Sequence, residues 1–209
     1  HDFRDADGFG PRHTFFFPGE EYRPSFFRHL DGLVRAGAGE LELHLHHDGD
    51  DEASLEAKLH SYVQLLARHG HLSRTADGTP RYAFIHGNWA LANGRPDGQR
   101  CGVDAELPLL FATGCYADFT FPSCPDPTQA RRVNELYWPV GDLKRRRSYD
   151  RGVRARVGLD FQDRLLMVTG PLSFRRGAGW QPKLEYGALQ ASNPPTPARV
   201  HSWVAQHIH

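Results

Sequence analysis

From Gly39 to Asp48 the chain reads Gly-Glu-Leu-Glu-Leu-His-Leu-His-His-Asp, apolar and polar residues in alternation and then a run of potential metal ligands. Successive side chains of a strand point to opposite faces, so Leu41, Leu43 and Leu45 share one face while Glu42, His44 and His46 share the other. That pattern fixes a strand with its ligands gathered at one end. His44 and His46, two residues apart, aim at one point. His47 and Asp48 follow where the strand ends, and Gly49, Asp50 and Asp51 read as the turn that leaves it. Three imidazoles and a carboxylate in so short a run repel one another when protonated and are costly to bury unpaired, so a shared cation is the economical reading. His44, His46, His47 and Asp48 are therefore candidate ligands of a divalent metal at the C-terminal rim of a sheet or barrel. His29 and His60, isolated on expected helix surfaces, show no such convergence.

The rest of the chain points to a sheet covered by helices. His13-Thr14-Phe15-Phe16-Phe17-Pro18 is a short apolar run, the pattern of a strand buried on both faces. Pro24, followed by Phe26, Phe27, Leu30, Leu33 and Val34 at helical spacing, predicts a helix closed by Gly37 and Gly39. Leu55, Leu59, Tyr62, Val63, Leu65 and Leu66 predict a second amphipathic helix over 51–68. Arg81 to His86 is another strand, and it too delivers a histidine at its end. A Gly- and Asn-rich loop runs from Gly87 to about Gly102, where a β/α protein carries its binding residues. Asp104 is placed to cap a short helix through Phe111. A strand from Cys115 to Thr120 then carries Asp118. Strand and helix in alternation, with polar residues at strand ends, is the grammar of a β/α sheet or barrel. The chain is read as one domain over residues 1–209, with a core at 12–140 and a less regular part at 141–209. That later part holds a strand around Leu165 to Val168, a rigid connector at Pro194 to Pro197 and a final helix to His207.

Charge narrows the partners. Twenty-five basic residues balance twenty-five acidic ones, which argues against a nucleic-acid or anionic-membrane partner. Lys144-Arg145-Arg146-Arg147 is the one local excess and reads as a solvated loop. No apolar run approaches the ~20 residues that a membrane helix needs. Twenty-two arginines against three lysines, with abundant Ala and Gly, is the usage of a GC-rich bacterial genome. The sequence opens on His1 and its single methionine is Met167, so a preceding segment is expected. Cys101, Cys115 and Cys124 lack the spacing of a metal motif, and their odd number suits a reducing compartment, or one bridge with a free thiol.

With these residues in place, a resemblance emerges. His13-Thr14-Phe15-Phe16, a helix and then Gly-Glu-x-Glu-x-His resemble the second and third strands of the polysaccharide deacetylase family. His-Leu-His-His-Asp, His-Gly-Asn-Trp-Ala-Leu and Thr-Gly-Cys-Tyr-Ala-Asp-Phe-Thr together resemble a bacterial branch of that superfamily over residues 12 to 140. The resemblance implies a distorted β/α barrel, a divalent metal, usually zinc, and hydrolysis of an acetyl group on a carbohydrate by metal-activated water. In the family one carboxylate acts as base and a histidine as acid. Carried over, His44 matches the first histidine of a ligand pair, Asp48 stands at the second, and His46 or His47 supplies the missing nitrogen. Asp118 and His86 become the candidate catalytic residues. Asn88, Trp89 and Tyr116 become the candidate substrate contacts, Trp89 because an aromatic face in a polar loop stacks on a sugar. Two family motifs have no counterpart: the strand with paired aspartates before His13 and the late Leu-x-His. Either the barrel is trimmed at both ends or the machinery is altered. Two alternatives stand beside the hydrolase. One is a binding module for metal or carbohydrate that keeps the barrel without turnover. The other is a cupin-like metal protein built on His44-x-His46 and Glu52, against which the two long helical patterns argue.

Overall fold

The computed structural model describes residues 3–177 and 181–207. It is a mixed α/β fold, built on a large and mostly parallel sheet. In chain order its regular elements are β1 (His13–Pro18), α1 (Pro24–Arg35), β2 (Gly39–Leu45), α2 (Glu52–Ala67), β3 (Ser73–Arg74), β4 (Pro80–His86), α3 (Glu106–Ala112) and β5 (Cys115–Phe121). There follow β6 (Glu135–Pro139), β7 (Gly152–Arg154), β8 (Leu166–Thr169), β9 (Ser173–Arg176), β10 (Pro182–Glu185) and α4 (Pro197–Ala205). The main sheet runs β1-β2-β4-β5-β8-β6-β7, with β3 paired to β4. The first five of these are parallel neighbours, and β6 and β7 enter antiparallel. No closed barrel is seen among the described residues, and none of their helices is long and apolar enough to cross a membrane.

The leucine face of β2 fixes the core. Leu41, Leu43 and Leu45 join Tyr82 and Phe84 of β4 against Leu55, Leu59, Val63 and Leu66 of α2 and Leu107 and Leu110 of α3. Full burial of each such side chain contributes roughly 1.5–3 kcal/mol. Asp51 starts α2 as a capping box, its carboxylate taking the Ser54 amide at 2.8 Å while Ser54 Oγ takes the Asp51 amide at 3.0 Å. Asp104 does not cap α3 as expected; Ala105 holds that position and Asp104 accepts from Asn93 Nδ2 at 2.7 Å. β1 also departs from expectation. It ends the strand order and only Phe17 is buried, Phe15 and Phe16 being half-buried, so its apolar run is only partly covered.

The face of β2 turned from the helices is curled. Three strand spacings of about 4.8 Å separate β1 from β5, yet the rings of Phe16 and Phe119 meet at 5.6 Å. Inside this concavity Glu42 is buried, accepting from the Tyr116 hydroxyl at 2.6 Å and the Ala83 amide at 2.5 Å. A register shift beside Ala83 lets Tyr116 reach across β4, where the small Ala83 side chain leaves room.

The later part is tied by charge. Glu185 of β10 and Arg199 of α4 are both buried and form a bidentate pair at 2.9 and 2.8 Å, and Arg175 of β9 adds a third contact at 3.0 Å. The arginine run is a solvated loop only in its first half, where Lys144 and Arg145 are exposed. Arg147 takes a left-handed φ of 54° and donates to the carbonyls of Gly94, Pro127 and Gln129 and to Asp150, riveting the segment to the loops after β4 and β5.

Candidate metal centre

The strand ends of β2 and β4 meet in space, and their histidines separate into two groups. The first group lies on the concave side. His44 and His46 stand with their Nε2 atoms 3.3 Å apart. Glu20, in the turn after β1, accepts from the His46 amide at 3.0 Å and lies 2.5 Å from its Nδ1. A carboxylate on Nδ1 puts the proton there and leaves Nε2 as a bare donor, the arrangement that orients histidine ligands in metal sites. Zn–N bonds of about 2.0–2.1 Å at a tetrahedral angle put two ligand nitrogens about 3.3 Å apart, the spacing seen here. Burial, with the neighbouring imidazole adding to it, lowers the pKa of His44 and keeps it neutral for ligation. Gly87 permits the pair: a Cβ there would fall 2.3 Å from His46 Cδ2 and 2.6 Å from His44 Nε2.

The second group lies on the helix side, where the alternation carries His47 and His86. His47 Nε2 is 3.1 Å from Glu106 Oε1, and its Nδ1 is 3.3 Å from Asp50 Oδ2. Burial opposes charge on His47, but the Glu106 hydrogen bond and the two carboxylates outweigh it, so its pKa is raised. Glu106 is held ionised against its own burial by the two imidazoles and by the Ala92 amide at 2.6 Å. His86 is the neutral partner, pushed down to about 4 by burial, and its Nδ1 accepts the Asn88 amide at 3.2 Å. The Cys101 thiol reaches Glu106 Oε2 at 3.3 Å and burial pushes its pKa up. Ligand atoms of His47, His86, Cys101 and Glu106 all lie within 4.8 Å of one another, so this buried group could hold a metal ion.

The four expected ligands thus do not converge. His44 and His46 do; His47 is turned to the opposite face; Asp48 is exposed and accepts the Arg100 amide at 2.6 Å. Glu20, Glu106 and Cys101 were not foreseen. The other candidates scatter around the rim. Asn88 donates from Nδ2 to the His47 carbonyl at 2.9 Å, bracing the turn. Tyr116 bonds Glu42 inside the concavity. Asp118 is fully buried beneath the rim, its two oxygens accepting the Thr120 amide at 3.0 Å and hydroxyl at 2.8 Å, and Thr120 Oγ in turn accepts the His86 amide at 2.9 Å. Its burial raises its pKa to about 7. Trp89, two residues beyond Gly87, has a φ of 59° and is 46% exposed. It lines a cleft of about 360 Å³ with Tyr186, Asp126 and the Pro122–Pro125 turn.

No known family model, curated protein or solved structure matches the chain. Its chemistry has to be read from these side chains.

Proposed function

We propose that the curled sheet is an irregular arc of β/α-barrel type and that the protein is a divalent-metal-dependent hydrolase removing acetyl groups from carbohydrate. The observation that carries the reading is the His44–His46 pair, two Nε2 donors at ligand spacing on an open rim with Glu20 behind one of them. Two protein ligands leave positions for water and substrate, which a catalytic site requires. A zinc ion there supplies Lewis acidity, lowering the pKa of water and polarising a carbonyl. The chain supplies the rest. Glu20 orients His46, and Gly87 lets both imidazoles pack on the backbone of the β4 turn. Trp89 and Tyr186, both exposed, offer aromatic faces to a sugar ring. The buried His86 and Asp118 position the turn between these parts through Thr120 and Asn88. The choice of an acetylated carbohydrate rests on the motif resemblance over residues 12 to 140.

One observation favours a second reading of the metal. His86 Nε2 is buried without a hydrogen-bond partner, and an ion among His47, His86, Cys101 and Glu106 would occupy it. Four protein ligands make a closed, structural site.

Elemental analysis after dialysis against metal-free buffer and zinc add-back tests both. One zinc per chain, lost in His44→Ala and His46→Ala and kept in Cys101→Ser, is the expected result, with chelator-sensitive acetate release from acetylated oligosaccharides. Zinc lost only in Cys101→Ser moves the ion to the buried group. A metal-free protein with no acetate release overturns the hydrolase.

A further inference from the structure

The strand order of the main sheet ends in β7 on one side and β1 on the other, and the two ends are guarded differently. β7 has three residues and finishes on the exposed Arg154, a length and a charge that discourage further pairing. β1 has six residues, His13–Pro18, paired to β2 on one side only. From Thr14 to Phe17 it carries no charge, no proline and no bulge, the devices by which a free edge of this length is ordinarily protected. A groove of about 390 Å³ runs beside the whole of β1, walled by Phe26, His29 and Leu30 of α1. Phe26, His29, Leu30 and Leu33 recur at the spacing of one helix face, and Phe26 and Leu33 are 43% and 44% exposed. The apolar surface thus continues from the strand edge onto the helix.

Charge indicates what covers it. Arg12 and His13 stand at the start of the strand, Glu20 and Glu21 just past its end. Glu20 is engaged by His46. Arg12 and Glu21 are exposed and make no hydrogen bond or ion pair among the described residues. A two-fold axis perpendicular to the sheet joins two copies of β1 antiparallel and keeps both helix layers on one side. Centred on Phe16, that pairing sets Phe16 opposite itself, Phe15 opposite Phe17 and Thr14 opposite Pro18, and it brings Arg12 of each copy to the turn that carries Glu21 of the other. Opposite charges facing across strands stabilise a pair, and aromatic residues facing one another do so as well. The edge is complementary to itself.

We propose that β1 pairs antiparallel with β1 of a second copy of this chain, joining the two sheets across a two-fold axis at Phe16. The Phe26 to Leu33 stripe of each α1 then lies along the seam. The inference does not depend on the hydrolase reading.

Sedimentation velocity of the full chain over a dilution series tests it. A reversible monomer–dimer equilibrium is expected. Arg12→Glu and Glu21→Arg each set like charges together twice in a symmetric pair, and each should raise the dissociation constant by about tenfold or more. The double variant Arg12→Glu/Glu21→Arg exchanges the charges and should recover wild-type affinity. Phe16→Cys reads the register: directly opposite Cα atoms of antiparallel strands lie about 4.5–5.5 Å apart, within disulfide reach. Mild oxidation should therefore give a covalent dimer on a non-reducing gel, whereas Thr14→Cys should give none. A monomer at every concentration, a dimer indifferent to both single reversals, a double variant no tighter than the singles, or growth into open-ended assemblies overturns the proposal, as does a folded Phe16→Cys that fails to cross-link. Should Phe16→Cys misfold by circular dichroism, the charge exchange decides.

Discussion

His44 and His46 on one side of the strand end, and His47 with His86 on the other, are four imidazoles from two adjacent strands in opposite surroundings. The concave pair has one carboxylate behind it and nothing between its Nε2 atoms. The helix-side pair is wrapped by Glu106, Asp50 and Cys101 and is closed to solvent. A residue's face, more than its type, sets its chemistry here. The open pair is poised to donate lone pairs, and the closed pair holds a proton in an ion pair.

The largest effect is expected from removing the carboxylate of the closed group. Glu106→Ala leaves the His47 charge buried without its partner and should cost about 3–5 kcal/mol of stability by chemical denaturation. His44→Ala, half exposed and unburdened by such a pair, should cost under about 1 kcal/mol. Similar losses in both variants would erase the distinction between the two groups. Next, Glu20→Gln should reduce zinc affinity by about 10–100-fold, as loss of a carboxylate behind a ligand histidine does. A competition titration with a chromophoric chelator reads this directly, and unchanged affinity would move the ion away from His46.

A smaller effect concerns pH. Asp118 has its pKa raised from 3.8 to about 7 when folded, so the native state holds more protons than the unfolded one between those values. Its contribution is therefore lost as pH rises through that window, by at most about 1.4 kcal/mol per pH unit. His86, lowered from 6.5 to about 4, works the other way and gains stability as pH rises over about 4 to 6.5. The two slopes partly cancel in the wild type. Asp118→Asn, which can keep both Thr120 contacts, should unmask the His86 slope, so that denaturation midpoints rise more steeply from pH 5 to 6.5. An unchanged profile would mean that Asp118 stays ionised.

Much of the parallel sheet was legible in the sequence for a physical reason. β2, β4 and β5 carry their burial pattern in a two-residue period or a compact apolar run, and α2 announces itself through Asp51 and its leucines. The candidates His44, His46, His47 and Asp48 divide between the two faces where that same period is carried one residue further. His47 has the parity of Leu45 and follows it to the helix side. Glu20 and Glu106 were invisible because their partners lie 26 and 59 residues away in the chain. The clue to Glu106 was a carboxylate at the head of the apolar run Leu-Pro-Leu-Leu-Phe. β6, β7, β9 and β10 were missed because they are only three to five residues long, too short for a two-residue hydrophobic period to show.

The knot of Glu185, Arg175 and Arg199 bears on how the molecule comes apart. An ion pair with the Glu185 pKa drawn down to about 2 fastens a hairpin and helix that bring little apolar surface with them. Exposing little apolar area adds little to the heat capacity of unfolding, and the cost of dehydrating charges falls on warming. The C-terminal segment should therefore depend on temperature more weakly than the leucine-packed sheet. On mild cooling or heating the two would drift apart in stability, the sheet following a strongly curved dome and the knot a shallow one, so that the order in which they open depends on the temperature at which the chain is challenged.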